Sequence, residues 1–235
     1  MTVQEIMSAL QKNGSESVKK ILLKHGVKEP FFGVKVAYLK TIQKKIKKDY
    51  QLAKDLFATG NADAMYLAGL IADDEKMSKK DLQAWAKIAV SNNISEYTVP
   101  WVAAGSQHGF ELAQEWIRAR EVWIAAAGWS TLSSLIALKP DSELDLPTIK
   151  SLLTKAEGSI HKAPNRVRYT MNGFVIAVAS YIESLHAEAV KAAKKIGTVT
   201  VEMNGTACEV PSALKYIQKV KDRGSIGKKK KTVKC

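Results

Sequence analysis

Short segments with helical hydrophobic spacing follow one another along almost the whole chain. In VKVAYLKTIQKKIKKDY (34–50), for example, Val36, Leu39, Ile42 and Ile46 recur at the spacing of one helix face. Polar turns with glycine or proline separate the segments, and no strand–helix–strand alternation appears. The pattern predicts about ten to twelve short helices, and such short connections make neighbouring helices pack as antiparallel pairs.

Stacked antiparallel pairs form an α-solenoid. No repeat of fixed length is visible, so any repeat is degenerate, as in HEAT-like proteins. We therefore predict an all-α fold, a HEAT-like α-solenoid of antiparallel helix pairs over residues 1–196. An irregular helical bundle is the alternative that the same pattern allows.

The hydrophobic pattern and the composition change after residue 196. The stretch TVTVEMNGTACEV (198–210) alternates, is rich in β-branched residues, and carries Asn204-Gly205 at its centre, which predicts a β-hairpin. ALKYIQKVKDRG then predicts a basic helix, so residues 197–224 form a hairpin and helix appendage. The last segment, SIGKKKKTVKC (225–235), is so highly charged that we expect it to be disordered until it meets an anion.

Positive charge is concentrated in two places. The chain has 36 Lys and Arg against 23 Asp and Glu, a formal net charge of +13. Residues 34–50 carry +5 and residues 211–235 carry +8, which together equal the whole excess. Such a balance favours a polyanionic partner, with nucleic acid ahead of an anionic membrane.

Other features narrow the class of protein. Apolar residues are 46% of the chain, yet no apolar run is long enough to span a membrane and the N-terminal stretch does not resemble a signal peptide. We expect a cytoplasmic monomer without membrane contact. The two cysteines, Cys208 and Cys235, are too few for a disulfide framework or a zinc site, and the four histidines show no metal-ligand spacing. We expect neither a metal nor a cofactor.

Two groups of lysines are predicted to contact nucleic-acid phosphates. Lys40, Lys44 and Lys48 lie four residues apart on one helical stripe, with Lys47 beside it. The second group is the run Lys228, Lys229, Lys230 and Lys231 in the C-terminal segment. Each lysine that meets a phosphate steepens the salt dependence of binding. A solvated helix face is the alternative for the stripe.

The stretch NRVRYTMN (165–172) begins a helix with Arg166, Arg168, Tyr169 and Asn172. Side chains of these types and the free amides of a helix N-terminus suit phosphate contact. The alternative is an ordinary solvated helix start that is capped by Asn165.

Several short stretches, which follow one another in the same order as in the family, resemble the AlkD-type DNA alkylation repair proteins, the HEAT-like repeat DNA glycosylases. They are FFGVKVAYLKTIQKKIKK, NADAMYLAGLIAD, the VPW at 99–101, EVWIAAAGW and RYTMNGFVIAVASYI. The resemblance covers about residues 1–196. It implies a C-shaped solenoid with a concave, basic groove that holds double-stranded DNA, and excision of cationic alkylated purines without extrusion of the base.

The resemblance also assigns a site, which departs from the family pattern at four positions. Glu96 falls where the family has its catalytic aspartate, Asn92 and Phe174 fall at two tryptophans, and Ala126 falls at an arginine. A carboxylate near the sugar stabilises the oxocarbenium ion that forms as the base leaves. Tyr97, beside Glu96, either lines the groove or is buried. An acid in a first helical turn is also favourable by itself, which is the alternative for Glu96, and a core ring is the alternative for Phe174.

Three functions follow as hypotheses. The first is a DNA-binding protein of this family that grips duplex DNA, including damaged or branched forms, with weak or lost base excision. The second is an active glycosylase for N3- and N7-alkylpurines that uses Glu96 in base excision repair. The third is a helical scaffold for protein partners whose basic tail only localises it.

Overall fold

The structure is a computed structural model that describes all residues from 1 to 235, and its regular structure is entirely helical. Thirteen α-helices follow one another in chain order. Their bounds are α1 Val3–Lys12, α2 Glu16–Lys24, α3 Val36–Ile46, α4 Tyr50–Ala58, α5 Ala62–Ile71, α6 Lys79–Ile88, α7 Val99–Gly105, α8 Gly109–Trp116, α9 Val122–Leu138, α10 Leu146–Ser159, α11 Asn165–Tyr181, α12 His186–Ile196 and α13 Ala213–Asp222. The all-α prediction is confirmed.

The contacts divide the chain into two compact units. Unit 1 comprises Met1–His108, Met203–Ala207 and Lys234–Cys235, and unit 2 comprises Gly109–Glu202 and Cys208–Val233. Consecutive helices pack against each other in both units, for example α4 with α5 and α11 with α12. The boundaries predicted at 196/197 and 224/225 stay predictions.

Helix α5 is the centre of unit 1, where all ten of its residues are buried. It packs against α1, α3 and α4. The ring of Phe57 on α4 stacks flat on that of Trp85 on α6, with centroids 3.9 Å apart. A helix that is apolar all round must be covered on every side, so α5 fixes where its neighbours lie.

The first turn of α5 also holds the linker before α3. The buried carboxylate of Asp63 accepts hydrogen bonds from the amides of Phe32, Gly33 and Val34, at 2.7, 3.0 and 3.2 Å. Burial raises the pKa of Asp63, although the three amide bonds oppose that rise. One carboxylate thus satisfies three donors that a buried loop would otherwise leave unpaired.

Unit 2 is built around α9 and α11, which make the most extensive helix contact of the structure. Trp129 of α9 meets Phe174 of α11 edge to face, with ring centroids 5.1 Å apart. Helices α8, α10, α12 and α13 cover the remaining sides of this pair. The core of unit 2 therefore consists of two long apolar helices and the helices that pack against them.

The predicted β-hairpin at 198–210 is wrong, because the structure contains no β-strand; an isolated bridge between Gly14 and Val34 is the one β-type pair. The predicted turn does form, since Asn204 and Gly205 both have positive φ. The flanking segments do not pair with each other because side chains of α11 form hydrogen bonds with their backbone groups. Asn165 exchanges two hydrogen bonds with the backbone of Glu202, and Arg168 donates to the carbonyl of Thr200.

Disorder of residues 225–235 in the absence of an anion stays a prediction. In the structure this segment is hydrogen-bonded to helix ends. The Gly227 amide donates to the Ser180 carbonyl at the end of α11, and the Lys230 amide donates to Ala137 near the end of α9. Helix C-termini carry unpaired carbonyls and partial negative charge, so a lysine-rich segment finds partners there.

No single helix is long and apolar enough to cross a membrane. The pair Asn165–Tyr181 and Glu183–Ile196 passes that test together by length and composition only, and it is bent by 114°.

Candidate functional site

Glu96 lies in a π-helical turn, Ile94–Thr98, that leads directly into α7. The Val99 amide donates to the Ile94 carbonyl five residues back. Pro100 follows, and because it has no amide hydrogen it cannot form the usual bond to the carbonyl of residue 96. This local defect accounts for the wider turn, a feature that recurs at functional sites.

The Glu96 side chain is buried, with 4% of the residue exposed. Tyr97 next to it is 42% exposed, so the two neighbours face different environments. The prediction that Glu96 acts on DNA stays a prediction. Because the side chain is buried, it also requires a rearrangement that exposes the carboxylate to a deoxyribose of the DNA.

Aromatic rings surround this turn. Trp101 packs edge to face against Tyr66 of α5 at 5.5 Å and lies 6.2 Å from the ring of Tyr97. Gly69 lets the turn approach α5, since a Cβ there would lie 2.3 Å from Thr98 Cγ2. Sequence reasoning missed Tyr66 and Trp101 as members of this cluster. The VPW stretch was a signal for Trp101, whereas Tyr66 is one apolar residue among many in α5.

Asn92 forms hydrogen bonds to the backbone of another segment of unit 1. Its side-chain amide donates to the His25 carbonyl at 3.1 Å, and its backbone amide donates to Gly26. Gly26 is close enough that a Cβ there would lie 2.2 Å from the Asn92 side chain. Asn92 therefore ties the end of α2 to the start of the π-helical turn, and its predicted DNA contact has no support from these bonds.

The start of α11 divides into two faces. Arg168 donates to the carbonyls of Thr200 and Ala163, and Asn172, 2% exposed, donates to the Pro211 carbonyl at 2.8 Å. The burial of Asn172 gives no support to its predicted DNA contact, which stays a prediction, and Arg168 holds the segment after α12. On the other face Arg166 stacks on the ring of Tyr169 at 4.5 Å, and these two stay predicted phosphate contacts.

Phe174 has no exposed surface and packs as a core ring against Trp129, so its predicted DNA contact finds no support here and stays a prediction. Ala126, at the position that the resemblance gives to an arginine, is also fully buried. Neither position can supply a group to a bound DNA without rearrangement of the core of unit 2.

The lysine stripe of α3 is shorter than predicted. The helix ends at Ile46, and Lys47 has a positive φ of 65°, so Lys48 is not on the helix face of Lys40 and Lys44. Lys40 is half-buried, whereas Lys44, Lys47 and Lys48 are exposed. Lys48 lies 3.9 Å from Asp73, and no ion pair involves Lys44 or Lys47.

Lysines of the C-terminal segment are engaged within the fold. Lys229 Nζ donates to the Ile136 carbonyl at 3.0 Å and pairs with Asp141 at 2.7 Å. Lys230 lies over the ring of Tyr181 at 5.7 Å. The predicted DNA contact of Lys229 stays a prediction, and it would compete with these bonds. Lys228 and Lys231 are exposed.

Lys234 is engaged in unit 1, and Asp74 is its acidic partner. Lys234 Nζ donates to the Ala72 carbonyl at the end of α5 and to Asp74 at 2.7 Å. Burial raises the pKa of Asp74, and Lys234 opposes the rise. Gly105 packs against the carboxylate, because a Cβ there would lie 2.4 Å from Asp74 Oδ2.

The last residue of the chain also belongs to unit 1. Burial raises the pKa of the Tyr66 hydroxyl, and the neighbouring Cys235 raises it further. Residues 234 and 235 therefore pack at the end of α5 and beside the aromatic cluster of unit 1.

No group of three or more His, Cys, Asp or Glu side chains is placed to hold a metal ion. Within unit 1 the structure brings together the rings of Tyr97, Tyr66 and Trp101, and within unit 2 it brings together Arg166 and Tyr169.

Comparison with known proteins identifies the family. Residues 6–216 match the model of the DNA alkylation repair enzyme family, and the chain belongs to that family. An uncharacterized protein of Listeria innocua is 30% identical over 229 residues, which are 95% of this chain and 99% of that protein. A second, from Listeria monocytogenes, is 31% identical with the same coverage. The resemblance seen in the sequence is confirmed.

A solved structure matches over 100% of both chains, with a TM-score of 0.91 and 36% sequence identity. It is described as a new family of proteins related to the HEAT-like repeat DNA glycosylases with affinity for branched DNA structures. The all-helical fold of the present chain accordingly resembles a HEAT-like repeat fold.

The lysine bonded to the end of α5 gives a stability prediction. Replacing Lys234 with Met should lower the free energy of unfolding by about 2 kcal/mol at pH 7, because it leaves the partly buried Asp74 carboxylate without its cation. The Asp74 pKa in the folded variant rises further above its unfolded value. The loss should therefore shrink as the pH falls through that folded pKa, where protonation removes the buried charge.

Urea unfolding at several pH values measures this loss. Lys231→Met is the matched control, since Lys231 is exposed and near in sequence, and it should change stability by less than about 0.5 kcal/mol. Equal effects of the two substitutions would contradict the role assigned to Lys234.

Proposed function

We propose that the protein binds duplex and branched DNA through backbone phosphates and that its excision of alkylated bases is weak or lost. The observation that carries the proposal is the full-length match to a structure whose family has affinity for branched DNA. Membership of the DNA alkylation repair enzyme family supports the same class of partner.

Free positive charge supports phosphate binding. Lys44, Lys47, Lys228 and Lys231 are exposed, and no ion pair or hydrogen bond engages their side chains. Exposed lysines without an acidic partner attract anions, and DNA supplies one phosphate about every 1.7 Å of duplex length. The expectation that they line one concave groove stays a prediction.

Arg166 and Tyr169 supply a second kind of contact. Their stacked pair near the start of α11 keeps the guanidinium half-exposed beside the free amides of the first helical turn. A guanidinium and helix amides together suit a phosphate oxygen.

The divergent site supports weak or lost excision. The Glu96 carboxylate is buried, Asn92 is bonded to the end of α2, and Ala126 offers no cation. A carboxylate stabilises a developing sugar cation only from within contact distance. A site with three such departures should bind DNA better than it cleaves a glycosidic bond.

Binding to DNA tests the proposal. Fluorescence anisotropy should give tighter binding to a four-way junction than to a blunt duplex of the same total length. The logarithm of the association constant should fall linearly with the logarithm of salt concentration, with a slope of about −0.9 for each phosphate that the protein neutralises. Lys228→Ala/Lys231→Ala should make that slope shallower by up to about 2 without destabilising the fold. Absence of DNA binding at about 50 mM salt would overturn the proposal.

An active glycosylase is the second candidate, and the π-helical turn favours it, because it places an acid beside an exposed tyrosine at a local backbone defect. The test is release of 7-methylguanine and 3-methyladenine from methylated duplex DNA. We expect the wild-type protein to release no more base than buffer alone.

Release well above buffer would instead favour the glycosylase. It should then disappear in Glu96→Gln with DNA binding unchanged, and persist in the control Glu75→Gln, which changes an exposed glutamate of the same unit. Wild-type release by Glu96→Gln would remove Glu96 from the chemistry.

A further inference from the structure

A cleft of about 480 Å³ lies between α12 and α13 in unit 2. The side chains that line it from α12 lie four residues apart on one helix face: His186, Val190 and Lys194. The opposite wall comes from α13 and contributes Leu214, Lys215, Ile217, Gln218 and Lys221. Its volume is in the range of small-molecule sites rather than of packing defects.

The cleft is cationic. Lys194, Lys215 and Lys221 are exposed, and no ion pair or hydrogen bond engages their side chains. No acidic side chain lines it, and the nearby acids have other partners: Glu188 binds Lys150 at 2.6 Å, and Asp222 accepts from Gln218. Three lysines around one cleft without a counter-charge favour an anionic occupant.

The cleft is also apolar inside and has fixed walls. Val190, Leu214 and Ile217 line it, and Leu214 is 38% exposed, unusually open for a leucine. His186 Nδ1 donates to the Ala179 carbonyl at 2.7 Å, which anchors the start of α12. Buried Ala213 and Ile217 seat α13 against its neighbours. An occupant therefore needs an apolar part and an anionic part.

We propose that this cleft binds an unpaired nucleotide of a DNA strand, with the base against Leu214 and Val190 and the phosphates on the lysines. The inference rests on the proposed function and adds a site to it. Bases of an intact duplex are stacked and paired, so only a fork, flap or junction end presents a free base face. Single-strand binding sites combine a positively charged groove with aromatic side chains on which bases stack. In this cleft the apolar side chains of Leu214 and Val190 take the place of the aromatic rings.

The first test compares forked DNA with two unpaired thymidine arms and a blunt duplex of equal length. Lys194→Ala/Lys221→Ala should bind the fork about tenfold more weakly than wild type and reduce its salt slope by about 1.4, since each single-strand contact contributes about 0.7. Binding of the blunt duplex should change less than about twofold. The matched control is Lys191→Ala/Lys219→Ala, which removes one exposed, unpaired lysine from each of the same helices outside the cleft.

The second test addresses the base. Leu214→Ser should weaken binding to the thymidine fork about fivefold, and it should have no effect on a fork whose arms carry abasic sites. A Leu214→Ser effect that is the same for both forks would overturn the assignment of the base to the cleft.

The outcomes separate this inference from the function it rests on. If wild-type protein binds neither DNA, the proposed function fails. If it binds both and the cleft variant matches the control variant on the fork, the cleft inference fails alone. Vesicles of phosphatidylglycerol provide a third arm: binding to them that depends on Lys194 and Lys221, with fork binding unchanged, would assign the cleft to lipid and overturn the proposal.

Discussion

The structure depends on satisfying the ends of three buried helices, α5, α9 and α11. All ten residues of α5 are buried, as are most residues of α9 and α11, so carbonyls at the C-terminal ends of these helices need donors from elsewhere in the chain. The C-terminal segment supplies them: Gly227 bonds the end of α11, Lys229 bonds the end of α9, and Lys234 bonds the end of α5 in unit 1. At the other end of α5, Asp63 satisfies the linker before α3. Hydrogen bonds between side chains and the backbone thus fix the irregular segments, which apolar packing alone would not hold in place.

This arrangement sorts the lysines into two classes. Lys229 and Lys234 neutralise Asp141, Asp74 and the negative ends of helices, so their charge is balanced within the fold. Lys44, Lys228 and Lys231 have no such partner and add to the field that a polyanion meets first. Net charge alone does not distinguish the classes, because a lysine in either class counts as +1. The unpaired lysines therefore carry the proposed DNA binding.

Sequence pattern predicted the helical class and the family because both depend on many weak signals that add along the chain. The Asn204-Gly205 turn also formed, since its φ angles follow from residue type, but the hairpin did not, because Asn165 and Arg168 of α11 take its backbone groups. Contacts between residues this far apart in sequence leave no local signal. The same limit applies to the site: burial of Glu96, Asn172 and Phe174 is decided by neighbouring helices, and Tyr66 reaches the π-helical turn from a helix that looks like plain core. Composition predicted a disordered C-terminal segment because composition does not show which backbone carbonyls at helix ends lie within reach of its amides and lysines.

Lysine reactivity measured by mass spectrometry, with an amine-acetylating reagent and with or without a four-way junction, tests the division of the lysines most directly. The account predicts that Lys44, Lys47, Lys228 and Lys231 react readily in the free protein and several-fold more slowly on the junction, whereas Lys229 and Lys234 react slowly in both states. Fast modification of Lys229 and Lys234 in the free protein, or unchanged reactivity of the exposed lysines on saturating DNA, would contradict it.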